Sequence, residues 1–342
     1  MELSALKERC KGDPSGFYLF VGEEEYLKRY YVEELKRRIV PDAFLEPFNY
    51  TVFDGPEIDF GQLADAIRSA PMMADYKLVV WKFAEPERLR ESARTALEEL
   101  AKNRREYPYT VFVVTASVEG FDMGTPPKRP SKLYTRFSKL YDIVNFPLST
   151  DTQLLSWLKK HFDAEGVGVD APTLRALLFR SGHGMDTLYY EVKKLAYYAK
   201  AHGLSSIDGS VVNTVASATV ECDTFALSNA VLERDHTLAF RALSLLKLER
   251  TDPLILLGML SRSFSELLSV AKLQEEGMRQ GEIEQILKLN SYKAKLTMAA
   301  TRRYGIDRLR AASELLCELD AQAKSYGSTG YSAIERFLAS VL

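Results

Sequence analysis

Two unbroken runs of apolar side chains in the first half of this sequence limit its fold more than any other feature. They are LVVW at 78–81 and VFVV at 111–114, and neither contains a polar residue. A strand with one face in water alternates apolar and polar side chains, whereas a parallel strand that helices cover on both faces is apolar throughout. These runs therefore predict a buried parallel sheet in an α/β domain.

Short apolar strands and amphipathic helices alternate around these two runs. The strands are predicted at Phe17–Val21, Tyr50–Phe53, Lys77–Phe83, Tyr109–Thr115 and Ile143–Phe146. The helices between them are predicted at Tyr26–Arg38, Phe60–Ala70 and Pro86–Lys102, with a short helix after Pro130. Strands joined by helical crossovers form a parallel sheet with helices on its faces. We therefore expect a doubly wound α/β domain with a parallel five-stranded sheet.

The pattern changes after the fifth predicted strand. Ser149 or Asp151 is a typical N-cap for a helix that begins near Gln153, and we expect no further strand beyond this point. Short helices are predicted over 149–217, among them Met185–Ala201, whose apolar residues lie three or four positions apart. Long amphipathic helices are predicted at 252–276, 291–304 and 306–324. We therefore expect three domains, an α/β domain over 1–147, a small helical domain over 148–217 and a larger helical domain over 218–342.

The turn after the first predicted strand occupies the phosphate-binding position of a nucleotide-binding α/β domain. A phosphate loop there uses glycines, backbone N–H groups and a lysine to neutralise phosphate oxygens. In this chain Gly22 is the only glycine of the turn, and Glu23, Glu24 and Glu25 follow it. Carboxylates suit the N-terminus of a helix but repel a triphosphate. We expect a nucleotide-binding scaffold that binds no nucleotide and needs no cofactor.

Composition and motifs favour a non-catalytic protein of the cytoplasm. The net charge of −2 argues against a protein that holds nucleic acid by bulk electrostatics alone. The three cysteines and four histidines are scattered without ligand or nucleophile spacing, so we expect no disulfide framework, no metal site and no active site. The N-terminus has no apolar signal region, and we expect no stretch close to the roughly 20 apolar residues of a membrane span.

The segment Ser69–Asp75 carries an apolar pair on a predicted turn. Pro71 ends the preceding helix, because the residue before a proline is biased away from the α region. Met72 and Met73 then lie just before the strand at Lys77, and we expect at least one of them to be exposed. An exposed methionine pair is a candidate plug for a pocket on a partner. The alternative is that both methionines pack under the edge of the sheet.

The loop Ser117–Ser131 is rich in glycine and proline, and we expect it to lack regular structure. Basic residues lie in and after it, beside aromatic side chains. Candidate phosphate contacts are Lys128, Arg129, Lys132 and Arg136. The alternative is an ordinary solvated surface, since exposed basic residues are common on proteins.

The order of segments resembles a known family, the delta subunits of bacterial DNA polymerase III clamp loaders. The matching segments are Gly22-Glu23-Glu24 with Tyr26-Leu27, Phe53-Asp54-Gly55, Ala70–Val80, Ser131–Tyr134, Glu191–Tyr198, Asp252-Pro253-Leu254 and Tyr292–Lys295. Together they span essentially the whole chain.

The resemblance implies an AAA+-like N-terminal domain with a degenerate phosphate site, a helical lid and a helical collar. It implies a subunit that binds and opens the ring-shaped sliding clamp (the beta subunit) for loading onto primed DNA, without hydrolysing ATP itself. The implied partners are this clamp, the ATPase gamma/tau subunits, delta-prime and primer-template DNA. The implied clamp-binding residues are Pro71, Met72 and Met73. Such a chain is not an enzyme, although the holoenzyme is a DNA-directed DNA polymerase.

Two departures from the family pattern and two rival functions stay open. Met73 replaces an aromatic residue, and the insertion Gly124–Pro130 has no functional account. A stand-alone ATPase would need a phosphate-binding lysine after Gly22, but Lys28 lies one helical turn too far along. A nucleic-acid-binding adaptor that works without a clamp would use basic residues, chiefly Lys132, Arg136, Lys139 and the Arg302-Arg303 pair.

Overall fold

The computed structural model describes residues 1–302, 304–326 and 331–342. The chain forms two compact units, Met1–Thr150 and Asp151–Leu342. The first unit contains a parallel sheet between helices, and the described part of the second is helical apart from one pair of two-residue strands. The division of the chain into three domains stays a prediction.

The sheet of the first unit has five parallel strands in the order β2-β3-β4-β1-β7. These strands are β1 (Gly16–Val21), β2 (Tyr50–Asp54), β3 (Lys77–Ala84), β4 (Thr110–Ala116) and β7 (Asp142–Asn145). The helices of this unit are α1 (Leu3–Lys11), α2 (Glu25–Ile39), α3 (Glu46–Asn49), α4 (Phe60–Arg68), α5 (Glu91–Lys102) and α6 (Lys132–Phe137). All five predicted strands are present, and each end lies within one residue of its prediction.

The apolar runs exist because both faces of the sheet are buried. Every residue of β4 is buried. Alternate residues of β1 enter different cores: Phe17 and Leu19 pack in the cluster that includes α4 and α5, whereas Tyr18 and Phe20 pack in the cluster that includes α1 and α2. A polar residue at any of these positions would be desolvated on one face or the other.

Four details of the first unit differ from the sequence-based predictions. Helix α5 begins at Glu91 rather than Pro86, because the carbonyl groups of Pro86 and Glu87 accept hydrogen bonds from the Arg94 side chain instead of from a helix backbone. Helices α1 and α3 were not predicted, since nine and four residues carry little periodicity. The loop expected to lack regular structure contains a small antiparallel hairpin, β5 (Gly124–Thr125) with β6 (Arg129–Pro130).

The second unit consists of helices, one of which the sequence predicted to the residue. They are α7 (Asp151–Ala164), α8 (Ala171–Ser181), α9 (Met185–Ala201), α10 (Gly209–Val215), α11 (Val220–Leu232), α12 (His236–Leu248), α13 (Pro253–Glu275), α14 (Gln280–Leu287), α15 (Ser291–Thr301), α16 (Ile306–Tyr326) and α17 (Ser332–Val341). The expectation of no further strand was wrong, because β8 (Gly168–Val169) pairs in parallel with β9 (Ser206–Ile207). Two-residue strands leave no alternating pattern in a sequence.

Helix α13 contradicts the expectation that no stretch comes close to the roughly 20 apolar residues of a membrane span. By length and composition it could cross a membrane, with a mean hydropathy of 1.5 in its most apolar window, and it is the one such helix among the described residues. Its residues Leu256, Leu260 and Phe264 are fully buried against α11, α12, α16 and α17. Burial in the helical core thus accounts for part of the apolar character of α13, since 39% of that window is buried while Leu254 and Ile255 are exposed.

Candidate functional site

The turn after β1 is locked against the segment that follows β7. Gly22 has φ +131°, and a Cβ atom on it would lie 2.2 Å from the carbonyl oxygen of Phe146, so only glycine fits there. Phe146 donates its N–H to the Val21 carbonyl (2.7 Å), and its own carbonyl accepts from Glu24 N–H (3.0 Å). Phe146 thus occupies the space beside the turn.

The Lys28 side chain points back to this turn, where protein oxygens accept its hydrogen bonds. Its ammonium group donates to the carbonyl oxygens of Gly22 (2.8 Å) and Ala116 (2.9 Å) and to Glu25 Oε1 (2.6 Å). The residue is 1% exposed. All three N–H donors therefore have acceptors at the carboxyl ends of β1 and β4, whereas the lysine of a phosphate loop reaches the nucleotide.

The rest of the turn presents carboxylates. Glu23 and Glu25 are exposed at the start of α2, and Glu24 is buried beneath them. A phosphate placed here would meet negative charge without an available lysine. The geometry thus supplies a physical reason for the prediction that Gly22 to Glu25 bind no nucleotide, which stays a prediction.

The methionine turn, defined here as residues 69–76 between α4 and β3, presents its apolar pair to solvent. Met72 is 46% exposed and Met73 is 82% exposed. The prediction that at least one is exposed is confirmed, and the alternative of packing under the sheet edge is wrong. Met73 has φ +53°, in the left-handed region that non-glycine residues seldom adopt. Such a conformation persists only where the surrounding structure holds it.

One buried amide holds the backbone of Met72. Met72 donates its N–H to Asn49 Oδ1 (2.7 Å), and Asn49 Nδ2 donates to the Met72 carbonyl (2.8 Å). Asn49 is 1% exposed and lies at the end of α3, immediately before β2. A single side chain therefore satisfies both polar groups of the residue that begins the apolar pair.

The other end of the methionine turn is fixed through the C-terminus of α4. The Lys77 ammonium donates to the Ala66 carbonyl and to Ser69 Oγ (2.5 Å). Two further carbonyls of α4 accept hydrogen bonds from side chains at the start of β4, namely Ile67 from Thr110 Oγ1 (2.8 Å) and Arg68 from Tyr109 OH (2.9 Å). These bonds satisfy carbonyl groups that a helix end leaves without partners.

Burial changes the protonation equilibrium of the Lys77 side chain. It lowers the pKa of Lys77 to about 8, because the ammonium form is desolvated. Neither Lys77 nor Asn49 was singled out in the sequence. Asn49 lies 23 positions before its partner, and an asparagine at that distance has no local signature of a turn.

The four candidate phosphate contacts do not form one group. Lys128 and Arg129 are exposed on the β5-β6 hairpin, and Lys132 is exposed in the first turn of α6. Arg136 is engaged elsewhere, since its guanidinium pairs with Glu91 (2.7 Å) and with Glu98. Of the Arg302-Arg303 pair, Arg303 lies outside the described residues. Among the described residues no cluster of His, Cys, Asp and Glu is arranged to hold a metal ion.

Two models of one family match the chain. The model described as DNA polymerase III, delta subunit, matches residues 18–122, and the one described as DNA polymerase III delta subunit, C-terminal domain, matches residues 221–341. Together they cover more than half of the sequence. The chain belongs to the DNA polymerase III delta subunit family. This confirms the resemblance found in the sequence.

Two relatives of the delta family extend the match. The DNA polymerase III subunit delta of Bacillus subtilis is 25% identical over 348 aligned positions, which cover 100% of this chain and 97% of that protein. A probable DNA polymerase III subunit delta of Aquifex aeolicus is 24% identical over 265 positions, 76% of this chain and 72% of that protein.

A solved structure supports the fold. The Bacillus subtilis DNA clamp loader delta protein aligns over 99% of this chain and 98% of its own, with a TM-score of 0.54 and 21% identity. The predicted fold class is confirmed as an α/β domain with a parallel five-stranded sheet followed by helices.

Replacing Asn49 with alanine should loosen the methionine turn. Asn49→Ala removes both hydrogen bonds to Met72, and we expect a loss of about 2 kcal/mol of unfolding free energy in urea. Amide exchange at Met72 and Met73 should accelerate. Asn145→Ala, at an exposed position of the same unit, should change stability by less than about 0.5 kcal/mol. Equal effects of the two variants would contradict the anchoring role of Asn49.

Lys77 should make the unfolding free energy depend on pH. Its pKa is about 8 in the fold and 10.5 ordinarily, so the fold disfavours the charged form, and stability rises between about pH 8 and 10.5. The neutral amine keeps two N–H donors for its two acceptors. Relative to Lys77→Met, the parent chain should gain roughly 2 kcal/mol between about pH 7.5 and 10 in urea unfolding. A difference independent of pH would show that Lys77 has an ordinary pKa.

Proposed function

We propose that this chain is the delta subunit of a DNA polymerase III clamp loader and that the methionine turn binds the sliding clamp. The observation that carries the proposal is the pair Met72 and Met73, exposed on a turn that buried side chains hold from both ends. Membership of the delta family supports it, as does the similarity in fold to a DNA clamp loader delta protein.

The apolar area of the turn is sufficient to anchor a partner. Met72 and Met73 expose roughly 200 Å² of apolar surface, which corresponds to about 5 kcal/mol on burial before the costs of association. Pro71 precedes the pair and restricts the backbone at its entry. Binding energy of this size, directed at one subunit of a ring, can stabilise an opened interface without covalent chemistry.

The turn combines a rigid backbone with flexible side chains. Asn49 and Lys77 fix the backbone beforehand, so little backbone entropy is lost on binding. Each methionine still loses about 1.5 to 2 kcal/mol of side-chain entropy, more than the aromatic ring that the family pattern has at position 73. Met73 therefore anchors this chain at a higher entropic cost than an aromatic ring would in the same pocket.

The division of labour with neighbouring subunits follows from the turn at Gly22. Because Lys28 is buried among protein oxygens and glutamates line the turn, this chain binds no ATP and is not an enzyme. ATP is left to gamma/tau subunits, which assemble with this chain and delta-prime in the cytoplasm. Primer-template DNA meets Lys128, Arg129 and Lys132 in the assembled complex, whereas Arg136 stabilises the contact between α5 and α6.

Removing both methionines should abolish binding to the cognate clamp. In titrations, Met72→Ala/Met73→Ala should show no measurable affinity, because the apolar plug is lost, and should unfold like the parent chain, because both side chains are exposed. Met73→Phe should bind more tightly, since a ring loses less entropy. Val118→Ala is the matched control, an apolar residue of similar exposure after β4, and should bind normally. Unchanged affinity of the double alanine variant would refute the site.

The isolated chain should not bind ATP. Equilibrium dialysis should show no micromolar affinity, and Lys28→Met should not create one. This variant should lose about 2 to 3 kcal/mol of unfolding free energy, because two buried carbonyls lose a charged donor. Arg37→Met, at an exposed ion pair of the same helix, should cost less than about 1 kcal/mol. Micromolar affinity of the parent chain for ATP would overturn the division of labour.

A further inference from the structure

A basic pocket opens at the amino edge of the sheet, where β1, β4 and β7 begin. Its volume is about 260 Å³, and its charged lining residues are Arg9, Arg104, Arg105 and Asp142. Three arginines and one aspartate give this pocket a net charge of +2, in a chain whose net charge is −2. The pocket therefore attracts anions, although the net charge of the chain is negative.

Two of the three arginines donate hydrogen bonds to neutral carbonyl groups. Arg9 donates to the carbonyl of Ser15 (2.9 Å), and Arg104 donates to the carbonyl of Leu140 (2.7 Å). Within the described part of the chain, none of the three arginines forms an ion pair, and the Arg105 guanidinium makes no hydrogen bond. The carboxylate of Asp13 interacts electrostatically with Arg9, and Asp142 lies in the lining. Guanidinium groups held by neutral carbonyls keep their charge for an external carboxylate or phosphate, which they bind through paired N–H donors.

This pocket and the methionine turn share one edge of the sheet. Strand β3 begins at Lys77, directly after the turn, and Lys77 lies opposite Thr110 at the start of β4. Adjacent strands are about 4.8 Å apart, and β3 lies one, two and three strand spacings from β4, β1 and β7, where the pocket opens.

Two hydrogen bonds join the turn to the segments that line the pocket. Lys77 N–H donates to the carbonyl of Tyr109 (2.9 Å), which follows the arginine pair in the chain. Tyr76 OH, from the methionine turn, donates to Asp13 Oδ1 (3.2 Å) in the loop that leads to β1. The methionine turn and the basic pocket are thus parts of one fixed surface.

We propose that the basic pocket binds an acidic segment of the same protein that takes Met72 and Met73. This inference rests on the proposed function, in which that protein is the sliding clamp. An apolar plug alone lets the partner rotate about it, whereas a second, charged contact fixes the orientation in which force is transmitted to the ring. Charged contacts of this kind set orientation and association rate more than total affinity. The candidate DNA contacts Lys128 and Arg129 lie in the loop after the carboxyl end of β4, away from this edge.

Arg105 is the residue to change, because its guanidinium forms no hydrogen bond with any of the described residues. At about 50 mM salt, Arg105→Ala should weaken binding to the cognate clamp by about three- to tenfold, mainly through slower association, and Arg105→Glu should weaken it further. Both losses should shrink as salt rises. Arg90→Ala and Arg90→Glu, which make the same charge changes at an exposed position just before α5, should leave clamp binding unchanged.

The outcomes separate this inference from the proposed function. If the parent chain binds the clamp and Met72→Ala/Met73→Ala does not, while Arg105→Glu binds like the parent, the pocket proposal is wrong and the proposed function stands. If Arg105→Glu instead weakens binding to primed DNA and spares the clamp, the pocket binds phosphates, and the proposal is again wrong. A parent chain that fails to bind the clamp overturns both.

Discussion

The parallel register of the central sheet determines everything that the first unit can display. Parallel strands all begin at one edge and all end at the other, so residues far apart in the sequence meet at the same edge. In this chain the starts of β3, β4 and β1 bring together the methionine turn and three arginines. The opposite edge receives Gly22, Lys28 and the carbonyl of Ala116. Burial of both sheet faces enforces this register, because a one-residue slip would move every side chain of a strand into the opposite core, where the packing does not match its shape.

Buried polar groups have different roles at the two edges of the sheet. At the carboxyl edge, a lysine and three protein oxygens satisfy one another, which closes the place where related folds hold phosphate. At the amino edge, internal hydrogen bonds are used to hold a backbone still while its side chains remain outside. Asn49 illustrates this, since its amide is buried but the Met72 side chain that it positions is not. Closure at one edge and presentation at the other are what a subunit needs if it works by contact rather than by catalysis.

The sequence predicted the strands and helices that have a periodic pattern of apolar residues. It did not predict contacts between residues that lie far apart in the chain. LVVW and VFVV led to β3 and β4 because a strand buried on both faces leaves an unmistakable run of apolar residues. The two-residue strands at Gly168 and Ser206 have no such run. The expectation that at least one of Met72 and Met73 is exposed followed from Pro71, a local signal. Asn49 and Tyr109, which fix that turn, are ordinary residues until the fold brings them to it, and the pairing of Arg136 with Glu98 was hidden for the same reason.

The left-handed backbone of Met73 also limits which residues this position can hold. At φ +53° a side chain branched at Cβ collides with its own backbone, so valine, isoleucine and threonine are excluded while leucine, methionine and phenylalanine are admitted. The backbone therefore limits which side chains position 73 can carry, whatever the partner requires. Substitutions at this position are therefore limited to apolar residues that are not branched at Cβ. These residues differ little in volume, so a pocket on the partner can adapt to each of them by small changes.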